Sequence, residues 1–119
     1  MRTSCNCTST FVMRRLIFAA LLVLPYAVVA AADEPKVTIV LKDHQWIPSE
    51  VPVPAGVKVQ LIIRNEQATT AEFESTSLHR EKIVPAGGQA SVYVGPLDPG
   101  RYEFIDDFHT SSRGFLVVK

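Results

Sequence analysis

From Val37 onward, apolar and polar residues alternate with a period of two, and Gly and Pro break that alternation into short runs. Only extended chain puts every second side chain on one face, so this pattern demands strands. Val57, Val59, Leu61 and Ile63 fall on one face of a run that ends at Asn65. Further strands are expected at 37–41, 50–54, 71–74, 90–94, 101–105 and 115–118, with 78–84 opening on a helical turn before extending. Pro52 and Pro54 keep their own segment extended, because each Pro disfavours helix for itself and its predecessor. Turns belong at Ala55-Gly56 and at Pro85–Gly88. No stretch sustains a helical period. Seven or eight such strands predict an all-β, two-sheet antiparallel sandwich. Phe73, Tyr93, Tyr102, Phe104 and Phe115 are its expected packing residues, and Trp46 is expected to cover one end.

The first 32 residues follow other rules. Arg14 and Arg15 precede an uncharged apolar run, Leu16 to Leu24, and Ala30 and Ala32 form an A-x-A pattern before Asp33. This is the layout of a cleavable secretory signal peptide, with Met13 as an alternative start. A domain spanning 33–119 then remains, in the periplasm. Both cysteines, Cys5 and Cys7, lie in the leader, as do three of the twelve basic residues and none of the twelve acidic ones. The exported part is therefore mildly acidic, which argues against nucleic acid as a partner. It has no disulfide and no thiolate ligand, and must hold its fold by packing.

Two stretches carry a family resemblance. One is Val53-Pro54-Ala55-Gly56 leading through the alternating run to Asn65; the other is Gly100-Arg101-Tyr102-Glu103-Phe104-Ile105-Asp106-Asp107-Phe108-His109 followed by Gly114 to Val118. These resemble the cupredoxins, whose pattern is G-x-Y-x-F-x-C-x-x-H before a last apolar strand. The resemblance implies a Greek-key sandwich. It also puts Asp106 where the family has its copper-binding Cys, Glu72 or Glu74 where the upstream His is usual, and no methionine at the axial position. Glu72 to Ser75, Leu78, Glu81, Pro85 to Gly87 and Gly95 to Tyr102 are similar to the branch found with bacterial ferrous-iron uptake systems. That resemblance implies copper and iron binding, help with iron oxidation or delivery, and an inner-membrane iron permease with other uptake components as partners.

A blue copper centre needs a thiolate, which the exported part lacks. The remaining oxygen and nitrogen donors are His109 and Asp106 from the C-terminal loop, Glu72 and Glu74 two apart on one strand, and His44 from the first loop. Such a set suits non-blue Cu(II), iron, or both. His79 and Glu81 offer a second metal site, with Glu74 nearby. Two alternatives to the iron-uptake reading stay open: a periplasmic copper-binding or buffering protein, and a metal-free sandwich used for docking. The number of metal sites, homodimerisation and any catalysis are open as well. A hydrolase is not indicated, since no nucleophile-elbow motif accompanies the serines.

Overall fold

The computed structural model describes residues 22–28 and 33–119. Residues 22–28 carry no regular secondary structure, and the rest of the leader reading, 1–21 and 29–32, lies outside the described residues. The chain divides into units 1–30 and 31–119, and all nine described strands belong to the second. They are β1 (Lys36–Lys42), β2 (Gln45–Ile47), β3 (Glu50–Val53), β4 (Val59–Asn65), β5 (Ala71–Ser75), β6 (Arg80–Val84), β7 (Gln89–Val94), β8 (Gly100–Asp106) and β9 (His109–Val118). No helix occurs among the described residues; the stretch expected to open 78–84 as a helical turn is a tight turn at 76–79.

Four strands form one sheet in the order β2-β1-β4-β7, and five form the other in the order β3-β9-β8-β5-β6. The expected sandwich is present, with one correction: it is mixed rather than purely antiparallel. β1 runs parallel to β4, and β3 parallel to β9. The chain leaves the first sheet after β2, adds β3 to the edge of the second, and returns as β4. A strand that comes back after such a crossover lies parallel to its neighbour.

The period-two pattern translates directly into burial. Val59, Leu61 and Ile63 of β4 are fully buried, and Asn65 continues the same inward face. Val57, expected on that face, sits before the strand and is exposed. Asn65 is tolerated inside because its amide is used completely. Its Nδ2 donates to the carbonyls of Thr69 (2.8 Å) and Val84 (3.2 Å), and its Oδ1 accepts the Gln67 N–H (3.1 Å). Ile39 and Leu41 of the neighbouring β1 extend this inward face, and Phe73, Phe104 and Leu116 of the second sheet are buried in the same core. Tyr93 is exposed, so it is not the core residue expected.

Each sheet edge is blunted against pairing with another chain. β2 has three residues; β3 carries Pro52 in mid-strand. β6 presents Arg80, Glu81 and Lys82 to solvent, and the Arg80 Nε–H donates to the Tyr93 carbonyl of β7 at 2.9 Å. Short, charged, proline-bearing or capped edges resist strand addition.

Two local features position the site end. β1 and β2 are joined by Asp43 and His44 alone, both left-handed (φ 50° and 57°). Two residues of positive φ make a type I′ hairpin turn, whose second position ordinarily takes Gly. β8 and β9 pair regularly down to Ile105↔Arg113, then shift so that Asp106 faces His109. Thr110, Ser111 and Ser112 are thereby left as an extra arch beside the hairpin tip.

Gly114 lies under the Phe104 ring so closely that a Cβ there would overlap it. We expect Gly114→Ala to cost about 1–3 kcal/mol by overpacking, read as a lower urea midpoint with an unchanged slope.

Candidate functional site

The sequence-derived donors fall into three groups. The first is Asp106 alone. Its side chain is turned inward with only 2% exposure, and Oδ1 accepts the backbone N–H groups of Glu72 (3.0 Å) and Phe108 (3.1 Å). This carboxylate ties β5 to the β8–β9 hairpin and satisfies two amides that would otherwise lack partners.

The second group is imidazole. His44 and His109 stack face to face, with ring centroids 3.9 Å apart and planes inclined by 14°. His44 stands on the type I′ turn, with its N–H donating to Gln67 Oε1 at 2.7 Å. Ser112 Oγ donates to the His44 carbonyl at 2.5 Å. His109 Nδ1 lies 3.0 Å from both Ser111 Oγ and Ser112 Oγ. Residues 44 and 109 are far apart in sequence, so nothing in the one-dimensional pattern announces this contact.

The third group is a carboxylate face on the outside of the five-stranded sheet. Glu72 and Glu74 project from β5, Glu81 stands directly opposite Glu74 on β6, and the Asp107 N–H donates to the Glu72 carbonyl at 2.9 Å. Partial desolvation and the negative charge of Asp107, Glu81 and Asp106 push the Glu72 carboxyl above its ordinary value. A hydrogen bond from the Glu74 carboxyl to Asp107, then desolvation, then the charges of Asp107, Glu81 and Glu72 raise Glu74 as well. The ion pairs among the described residues go elsewhere: Arg101 to Glu50, Arg113 to Glu103, Arg64 to Glu66 and Lys58 to Glu34. The guanidinium of Arg80, which borders the depression lined by Glu74 and Glu81, donates to the Tyr93 and His79 carbonyls. None of the four carboxylates forms an ion pair, although Lys82 borders the depression lined by Glu72 and Glu81.

His79, with φ 54°, lines a depression of about 400 Å³ together with Glu74, Thr76 and Glu81. Among the described residues no three His, Cys, Asp or Glu side chains are already arranged to hold a metal ion. Sequence reading missed Asp107 and Ser112 as members of the site. Asp107 lies in a stretch with the composition of a solvated turn, and a serine at an arch carries no periodic signal.

A family model described as a cupredoxin-like domain matches residues 15–118. An uncharacterized protein of Rickettsia prowazekii is 45% identical over 84 residues, which cover 70% of this chain and 67% of that one. The iron uptake system component EfeO of Yersinia pseudotuberculosis is 36% identical over 115 residues, and that of Escherichia coli 34% identical over 94. These matches cover 91% and 75% of this chain but only 30% and 24% of the EfeO proteins, which are much longer. Two solved structures share the fold at low identity. The metal-binding domain of the Streptococcus pneumoniae Cu(I)-exporting ATPase CopA has a TM-score of 0.64 at 14% identity, covering 71% of this chain and 84% of its own. The "blue" copper protein auracyanin A of Chloroflexus aurantiacus has a TM-score of 0.62 at 15% identity, covering 73% and 100%.

Two outcomes follow from this geometry. Asp106→Ala should destabilise the domain by about 2–4 kcal/mol, because two inward amides lose their acceptor, while Asp106→Asn, which keeps an oxygen there, should cost about half as much or less; denaturant titration of both variants measures it. Folded Glu72 and Glu74 hold their protons more tightly than in the unfolded chain. Their contribution therefore falls as pH rises from below the unfolded value of about 4.5 through the raised folded values. Glu74→Gln should flatten that decline and raise the thermal midpoint at pH 7.5. Parallel curves for the variant and the parent between pH 4 and 7.5 would remove the repulsion from the account.

Proposed function

The chain belongs to the cupredoxin-like domain family, and from that premise we propose that it is a periplasmic iron-holding component of a ferrous-iron uptake system, passing its cargo to an inner-membrane permease. The similarity to EfeO, a named iron uptake system component, supports the setting. The leader pattern of residues 1–32 supports the periplasmic location. The observation that carries the reading is the carboxylate face of Glu72, Glu74, Glu81 and Asp107, unpartnered by any of the described basic side chains.

Copper of the blue type does not fit the residues present. Residues 33–119 contain neither cysteine nor methionine. The carboxylate at the thiolate's position, Asp106, already accepts two backbone amides. Iron, as cargo, asks for something different. Crowded anionic oxygens stabilise a cation by Coulomb attraction, and more so the higher its charge. A patch of this kind favours Fe(III) over Fe(II), which makes oxidation of bound ferrous iron by an acceptor such as dioxygen easier. The four carboxyls repel one another in the free protein. A cation relieves that repulsion and competes with protons for the Glu74 carboxyl, which the neighbouring acids hold above its ordinary value.

The test is calorimetric titration of the full chain with Fe(II) under nitrogen, in buffers of different ionisation enthalpy. The parent should bind iron with release of protons. Paired Glu74→Gln and Glu81→Gln substitutions should weaken binding at least tenfold, about 1.4 kcal/mol, and abolish the proton release. Identical isotherms for parent and double variant would rule the carboxylate face out as the iron site.

A further inference from the structure

The two sheets of the sandwich carry different charge on their strands. Every charged residue on the strands of the four-stranded sheet is basic: Lys36 and Lys42 on β1, and Arg64 on β4. We propose that the outward face of this sheet docks on an anionic phospholipid surface. This goes beyond the iron reading and stands on other residues, on the opposite side of the domain.

Strand register fixes what the face contains. Side chains alternate along a strand. With Ile39 and Leu41 buried, Lys36, Thr38, Val40 and Lys42 of β1 point outward. With Val59, Leu61 and Ile63 buried, so do Gln60, Ile62 and Arg64 of β4. Ile47 of β2 stands directly opposite Val40, and Ile62 is its diagonal neighbour on the other side. These three form an apolar stripe across the sheet, with Ile47 50% exposed. Lys36 and Lys42 lie at the two ends of β1. Tyr93 of β7 stands opposite Gln60, and Lys58 Nζ lies 4.7 Å from the centre of its ring.

Acidic residues touch this face only from beyond the strand ends. Asp43 follows Lys42 in the turn, Glu34 pairs with Lys58 at 3.4 Å, and Glu66 pairs with Arg64 at 3.5 Å. Exposed pairs of this kind are weak and exchange readily for other anions. Lys36 and Lys42 enter none of the ion pairs among the described residues. The strands of the other sheet hold six acidic residues, Glu50, Glu72, Glu74, Glu81, Glu103 and Asp106, against four basic ones. An anionic plane therefore attracts one outward face and repels the other. That difference orients the domain even though its total charge is mildly negative.

The face suits a plane better than a folded partner. The depressions beside Glu74, Glu72 and His44 lie elsewhere, and no outward side chain of these four strands lines them. Proteins grip one another through apolar anchors seated in pockets. A bilayer surface asks only for cations, apolar groups and aromatic rings spread over one side. Lysine stems lie along apolar surface while their ammonium heads reach phosphate. Ile47 meets the acyl boundary. Tyr93, 43% exposed, offers the ring and hydroxyl that favour the headgroup level. A second copy is the poorer occupant, because pairing this face with itself sets Lys36, Lys42 and Arg64 against their own like charges.

Residues 33–119 hold all nine described strands and the whole buried core. They are therefore tested without the leader, whose apolar run would bind lipid by itself. Binding is measured by sedimentation with vesicles of phosphatidylcholine, alone or with about a quarter phosphatidylglycerol, at low and at high salt. The mixed vesicles should bind the domain at low salt and release it at high salt, and the neutral ones should leave it in solution. Lys36→Glu with Lys42→Glu should weaken binding at least roughly tenfold at an unchanged thermal midpoint, and the milder Lys36→Gln with Lys42→Gln should weaken it less. The Glu74→Gln, Glu81→Gln double variant should bind vesicles as well as the parent or better, so this face and the iron face stand or fall separately. Residues 33–119 contain no cysteine, so Ser91→Cys and Ile83→Cys can each carry one environment-sensitive dye. Emission should shift to the blue on mixed vesicles from position 91, on the proposed face, and stay put from position 83, on the other sheet. Equal binding to neutral vesicles, no binding to mixed ones, or a charge-reversed variant that binds like the parent would overturn the proposal. A shift from position 83 instead of 91 would do so too, as would salt-sensitive self-association without lipid, which would give the face to a second copy.

Discussion

One indole holds the two sheets in relation to the site. Trp46, from the short strand β2 of the four-stranded sheet, meets Phe73 and Phe104 of the other sheet edge-on, at centroid distances of 6.0 and 5.2 Å. Edge-to-face contact of this kind adds directional preference to the burial of large apolar area. The same indole N–H donates to the Ser112 carbonyl, and the Ser112 hydroxyl donates to the His44 carbonyl. A chain of contacts thus runs from the middle of the core to the exposed imidazole pair. The close fit of Phe104 over Gly114 belongs to the same arrangement, because it lets β9 pass close enough to present Ser112.

Around that anchor the acidic residues divide by what surrounds them. Asp106 is inside, and its charge is met by amide hydrogens. Glu34, Glu50, Glu66 and Glu103 are outside and lie against basic side chains, where exposed pairs contribute little. Glu72, Glu74, Glu81 and Asp107 are outside and lie against one another. Mutual repulsion on a folded surface works against stability. Lys82 borders Glu72 and Glu81 without forming an ion pair with either, unlike Lys58 beside Glu34. Local rules broken without an evident structural gain tend to mark function.

The core was legible because burial in a sandwich follows a simple period. Ile39, Leu41, Val59, Leu61 and Ile63 could be assigned to the inside from alternation alone, and Gly56 and Pro85 to Gly88 to turns. β2 escaped notice because Gln45–Ile47 is too short for alternation to register. The parallel neighbours β1 and β4 escaped because strand direction depends on where the chain crosses between sheets. The candidate donors were mostly named from sequence, but their grouping was not. Asp106 and His109 face each other across β8 and β9, yet one carboxylate oxygen is occupied by backbone amides and the ring lies against His44.

What the amino-acid order determined by itself is an extended, sandwich-forming domain with an excess of acid and, beyond residue 32, no sulfur ligand. Those properties are sums or short-range periods, and they survive without knowing which strand lies beside which. The tertiary structure alone decided that His44 meets His109, that Glu74 meets Glu81 and Asp107, and that Asp106 turns inward. Each of these depends on register and crossover, quantities set by how two sheets close over a shared core rather than by any local preference of the chain.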